Sequence, residues 1–288
     1  MTQMVQRNAV VERRGVGHVI GRVVVYAVLI AVGLFTLIPF VWMVSSSLKL
    51  DREVFSYPIR WIPEVFHWEN YKLIWSKVPL LTYFKNTAII AIVVTFIQTL
   101  TSSFAAYAFA KLRFKGRNTL FICYVGTIAV PWQTYMLPQF ILMRSMGLYD
   151  TLWAIVVLQS FSAFGVFLMR QFYQGIPTEL CEAARIDGLS EYGIWARIML
   201  PLSRAAIATL VIFTFVGTWN DYMGPMIYLT RDVNKTVQVG LRRFIQENSS
   251  DYHLIMAVSV CSLLPVSIVF LSLQKYFIQG IATTGLKG

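Results

Sequence analysis

Long apolar stretches alternate with short polar connections along this chain. Five runs carry no charge at all: Val23 to Val44, Asn86 to Ala110, Asn118 to Met143, Thr151 to Met169 and Leu254 to Gln274. A sixth, Ala205 to Thr230, carries the single charge of Asp221. A helix needs about 20 apolar residues to cross the hydrocarbon core, because every backbone N–H and C=O there must be paired within the segment. The pattern therefore predicts an all-α integral membrane protein with six transmembrane helices. The first run is too long for a signal-peptide core and is followed by the others, so it reads as a retained span. Pro131 and Pro138 in the third run and Pro265 in the sixth predict kinks, with packing and hinge roles both open.

The connections set the topology. The short segment Lys111 to Arg117 holds Lys111, Arg113, Lys115 and Arg117 with no acid, the signature of a cytoplasmic loop. The equally short Arg144 to Asp150 has one base and one acid and belongs on the other side. The total basic excess is small, so these two loops decide orientation. They place a cytoplasmic N-terminal arm at 1–22, a spanning domain at 23–278 and a cytoplasmic C-terminal tail at 279–288. Ser45 to Lys85, with Trp61, Trp68 and Trp75 among prolines, is expected to lie at the external interface.

Composition agrees. Hydrophobic residues make up 57% and charged residues 14% of the chain, and the mean hydropathy is +0.60, which does not suit a water-soluble surface. The net charge of +11 is spread between apolar blocks rather than gathered on a polar domain, so anionic lipid is the expected partner and nucleic acid is not. Cys123, Cys181 and Cys261 lie far apart and read as free thiols; His18, His67 and His253 have no partner at ligand spacing. No metal site or bound cofactor is expected.

The connection Arg170 to Arg204 is the most specific part of the chain. Pro177 can open a helix and Gly188 can close one in a left-handed cap, which predicts a helix from about Pro177 to Asp187. Leu180, Ala183, Ala184 and Asp187 then share one face, where two alanines let another backbone approach closely. Ser190 is a suitable N-cap for a second helix whose apolar stripe is Tyr192, Trp195, Ala196 and Met199, ending before Pro201. On periodicity alone, an interfacial hairpin joining two spans fits as well as a docking surface.

Glu182-Ala183-Ala184, then Gly188 after three intervening residues, and Ile198-Met199-Leu200-Pro201 after nine more resemble the EAA motif of permease subunits in binding-protein-dependent ABC importers. Trp219-Asn220-Asp221-Tyr222 with Pro225, and the run from Gln274 to Gly288, are similar to segments of MalG-like carbohydrate-uptake permeases. The resemblance implies a type I ABC importer permease fold whose 170–204 loop is a cytoplasmic coupling loop, in the inner membrane of a bacterial cell. It implies that Glu182, Ala183, Ala184, Asp187 and Gly188 dock on a separate ATPase subunit, with Arg185 as a rim contact. The implied partners are two copies of that ATPase subunit, a second and different permease, and an external sugar-binding protein.

No Gly-x-x-x-x-Gly-Lys-Ser/Thr occurs in the sequence, so ATP and Mg are expected on the partner and not on this chain, which is not expected to be an enzyme. Trp219, Asn220, Asp221 and Tyr222, with Gln133 and Tyr135, are candidates for the substrate path. Asp221 faces a cavity or pairs with the partner permease; both readings stand. Gln98, Thr101 and Ser102 line the same path or bond helices together. The competing class is an ion-gradient-driven secondary transporter, for which one intramembrane carboxylate is thin support. An intramembrane enzyme lacks its motifs: neither Gly-x-Ser-x-Gly nor His-Glu-x-x-His is present.

Overall fold

The computed structural model describes residues 16–247 and 251–285, and no strand occurs among them. The expected arm therefore lies largely outside the described residues, as does the end of the expected tail. Helix α1 (Val16–Ser47) is followed by a connection carrying α2 (Asp51–Val54) and α3 (Glu69–Lys77), and then by α4 (Leu80–Lys111). The chain continues through α5 (Arg117–Gly126), α6 (Trp132–Ser145), α7 (Leu152–Gln159) and α8 (Ala163–Gln174) to the short pair α9 (Glu179–Ile186) and α10 (Glu191–Ile194). After α11 (Leu200–Leu202) come α12 (Arg204–Trp219), α13 (Met223–Tyr228), α14 (Val237–Glu247) and α15 (Tyr252–Gly285). The backbone of α15 stays helical to Gly285, into the segment expected to be a tail.

Among the described residues, three unbroken helices, in α1, α4 and α15, are long and apolar enough to cross a membrane; the number reaches six only if each of three bent pairs is one crossing. The bends have local causes. Between α5 and α6 the axis turns by 99°; a 3-10 turn at Thr127–Ala129 leads to Pro131, which is extended at ψ 135° and has no N–H to continue the ladder. Pro138 and Pro265 sit inside continuous helices. The bend of 40° between α7 and α8 ends at Ser162, whose hydroxyl accepts the Gly165 N–H at 3.0 Å.

The expected fifth span, Ala205 to Thr230, is two helices. Asp221 Oδ1 accepts the Gly224 N–H at 3.2 Å, so the side chain meant to be carried inside the span instead restarts the helix after a break.

Helix α4 is the axis of the bundle, with α8 and α12 packed along it. Lipid tails are as apolar as leucine, so burying apolar surface does not hold such helices together; close approach does. Ser102, Ser103 and Ala106 on α4 are fully buried. Gly165 on α8 comes so near that an added Cβ would lie 2.4 Å from Ser102 Oγ. Among the described residues, helix α1 packs mainly along its end and along α15, with apolar side chains exposed from Ile20 to Val44.

At the end opposite α9, Asp150 holds a clasp. Its backbone takes φ +57°, which aspartate tolerates. Its carboxylate accepts the Thr230 and Arg231 N–H groups at 2.8 and 3.1 Å and pairs with the Arg231 guanidinium. Burial pushes this carboxyl up, but the donors from Thr230, Arg231 and Asn234 outweigh it and hold the group down at about 2.

Candidate functional site

Two places collect the polar groups that the membrane-facing helices exclude: an elbow formed by α9 to α11, and a cavity beside α4. The elbow turns where Gly188 takes φ +83°. Leu189 N–H bonds to the Ala184 carbonyl at 2.9 Å and Gly188 N–H to the Arg185 carbonyl at 3.0 Å, the paired bonds of a left-handed helix stop. Ser190 caps α10 by accepting the Gly193 N–H at 3.3 Å. The second helix does not end before Pro201. It widens into a π-helix at Trp195–Met199, in which Leu200 N–H reaches back to the Trp195 carbonyl, and Pro201 sits in the turn that follows.

That extra residue changes the buried stripe. Ile194 and Met199, five apart, are fully buried, whereas Tyr192 and Ala196 of the expected stripe are exposed. On α9 the inward side chains are Cys181 and Ala184, packed with Ile194, Met199, Met169 and Tyr173. Ala184 is thus occupied by its own chain, while Glu182, Ala183, Asp187 and Gly188 are exposed. Ile186 is 86% exposed, an apolar side chain with no cover. Its place in the motif was legible; its exposure was not, because periodicity does not say which face of a short helix packs.

Arg185 turns back into the elbow rather than out to a rim. Its Nε donates to Glu191 Oε1 at 2.6 Å and its Nη2 to Oε2 at 3.2 Å, and Tyr107 of α4 donates to the same carboxylate. Trp195 Nε1 donates to Ser103 Oγ at 2.8 Å. The elbow is therefore fastened to α4, the helix that also lines the cavity.

The cavity, of about 500 Å³, is lined from several helices: Gln98 of α4, Trp132, Tyr135 and Gln139 of α6, Gln159 of α7, Thr214 and Thr218 of α12, and Asp221 and Tyr228 beyond it. Its polar groups satisfy one another. Gln98 Nε2 donates to Thr214 Oγ1 at 3.0 Å, and Trp132 Nε1 to Gln139 Oε1 at 2.9 Å. Thr218 Oγ1 donates to Gln159 Oε1 at 3.0 Å, and Gln159 Nε2 to Asp221 Oδ2 at 2.7 Å. Asp221 thus finds its partner within the chain.

Of the expected path residues, Asp221 and Tyr135 line this cavity and the others do not. Trp219 is 2% exposed, stacks on Phe215 and donates its Nε1–H to the Ser262 carbonyl at 3.0 Å. Asn220 is exposed and accepts from Gln238 at 3.1 Å; Tyr222 and Gln133 lie outside the lining. Gln98 does face the cavity, whereas Thr101 donates to the Ser160 carbonyl at 2.9 Å and Ser102 is sealed beneath Gly165. Gln139 and Gln159 were the missed residues. Uncharged amides inside apolar runs were their signal.

These features define a membrane-spanning transport subunit. The chain belongs to the family of binding-protein-dependent transport system inner membrane components, whose model matches residues 98–283. The resemblance to permeases of this kind therefore holds. The chain is 33% identical over 253 residues to the arabinooligosaccharides transport system permease protein AraQ of Halalkalibacterium halodurans, covering 87% of this chain and 91% of that one. It is 31% identical over 259 residues to the lactose transport system permease protein LacG of Rhizobium radiobacter, covering 90% and 94%. Its fold matches a chain of a bacterial ABC transporter involved in the import of the acidic polysaccharide alginate, with a TM-score of 0.78 at 24% identity over 96% of this chain and all of that one. The fold is thus the type I ABC permease fold.

Proposed function

We propose that this chain is one of two membrane-spanning subunits of an ATP-driven importer for a sugar or oligosaccharide delivered by an external binding protein. The carrying observation is the elbow: Cys181 and Ala184 pack inward, while Glu182, Ala183, Ile186 and Asp187 stay uncovered at the tip. A separate ATPase subunit, which binds ATP and Mg, seats on that tip from the cytoplasm. Motion at the tip passes through Arg185, Glu191 and Tyr107 into α4, and so to the cavity. A shift between outward and inward access requires contacts that differ between the two states, and the docked tip supplies them.

A sugar suits both the relatives' stated cargoes and the cavity, which sets amides and hydroxyls among the rings of Trp132, Tyr135 and Tyr228. In this arrangement both termini are cytoplasmic and the protein lies in the bacterial inner membrane.

The test is a photocrosslinker at Ile186 in the assembled importer, with sugar-stimulated ATP hydrolysis measured in parallel. Capture of the ATPase subunit together with stimulation is the expected result. Labelling of Ile186 from outside intact cells, or sugar counterflow by this chain without any ATPase subunit, would favour the ion-gradient alternative and overturn the reading.

A further inference from the structure

The cavity carries a second message, in its charges. Its lining includes one acid, Asp221, and no Lys, Arg or His. Both oxygens of Asp221 accept from N–H donors, Oδ2 from Gln159 and Oδ1 from Gly224, and among the described residues no cation is paired with it. The seat is tight on one side: a Cβ on Gly224 would lie 2.5 Å from Asp221 Oδ2, so a side chain there would push the carboxylate from its place. Each oxygen keeps a further lone pair to offer.

A sugar hydroxyl can donate to those lone pairs. A uronic acid cannot do so with its carboxylate, and it brings a like charge into a site where this chain's lining offers no lysine or arginine to offset it.

We infer that this cavity admits uncharged, polyhydroxylated cargo and turns away acidic sugars, with Asp221 as the specificity-determining residue. The inference rests on the cavity being the transport path.

Gly217 provides the probe position. It lines the cavity about one turn before Asp221, and an added Cβ there meets nothing within 4 Å. In the complete reconstituted importer, with Cys123 and Cys261 replaced by serine and buried Cys181 retained, Gly217→Cys is modified by a cationic and by an anionic methanethiosulfonate of similar size. Rates are taken as the increment over the parent without the new cysteine.

The cation-to-anion rate ratio is expected to be at least about fivefold above that of a free thiol, from the Coulomb energy of one charge at this range. Asp221→Asn should return it to within about twofold of the free-thiol value, and Asp221→Glu should preserve the bias. A ratio equal to the free-thiol value, or one that Asp221→Asn does not move, overturns the inference and leaves the importer reading intact. No modification by either reagent means that water does not reach the cavity, which sinks the transport-path reading and the inference together.

Discussion

The elbow and the cavity are built in opposite senses. The elbow turns its small residues inward, Cys181 and Ala184 against Ile194 and Met199, and leaves acids and an isoleucine at its tip. The cavity turns its polar groups inward and pairs them with one another before any ligand arrives. A surface meant for another protein can be written in one contiguous stretch, because a single short helix presents it. A path through the membrane must be assembled from helices far apart in sequence, so each contributes one or two residues that carry no meaning alone.

The contrast can be broken most sharply at Gly188. A valine there has open space but must hold φ +83°, at a cost of about 1–2 kcal/mol before any branching penalty. Gly188→Val is expected to lower ATPase-subunit co-purification at least tenfold while the cavity keeps its shape; normal co-purification and uptake would refute the docking role.

Next come the two alanines, which the structure separates. Ala184→Leu overpacks the inward face and should cost about 1–3 kcal/mol of stability. Ala183→Leu, on the exposed side, should change the melting temperature little and still weaken co-purification. Equal melting shifts for the pair would show that the elbow's two faces have been misassigned.

In the cavity, Gln159→Leu strips Asp221 and Thr218 of their shared partner, a loss of roughly 1 kcal/mol with water at hand. Sugar uptake should fall while ATPase co-purification is unchanged, since the elbow is untouched.

The smallest effect is at the Asp150 clasp. Its carboxyl is lowered to about 2 in the folded chain, so its contribution is complete above the ordinary carboxylate range near 4 and is lost only as pH falls toward 2. Hydrogen exchange at residues 148–151, corrected for intrinsic rates, should show protection that is flat from pH 7 to about 4. Loss of protection near pH 6 would contradict the clasp.

Much of the elbow was legible because its signals are local. Gly188 and Ser190 act on residues next to them, and they sit where the sequence places them. The stripe beyond Ser190 was misread because a π-turn has no composition of its own, and Ala184 because the choice of packed face belongs to α4 and α8. Three of the expected spans are unbroken helices, but the breaks in the others did not follow from hydropathy. Apolar composition is blind to a serine or an aspartate that caps a new helix within a run, as Ser162 and Asp221 do. Proximity to Asp221 along the chain was likewise a poor guide: Trp219 and Tyr222 flank it and miss the cavity, while Gln139 and Gln159 reach it from α6 and α7.

The widened turn at Trp195–Met199 has a geometric consequence. One residue more than an α-helical turn rotates everything downstream by roughly 100° about the axis. Because the axis bends by 83° between Leu202 and Arg204, that rotation sets the direction in which α12 leaves the elbow rather than the phase of its side chains. Excising a single residue from the turn would leave the composition of α12 intact and send the helix off in another direction, carrying Thr214 and Thr218 away from Gln98 and Gln159.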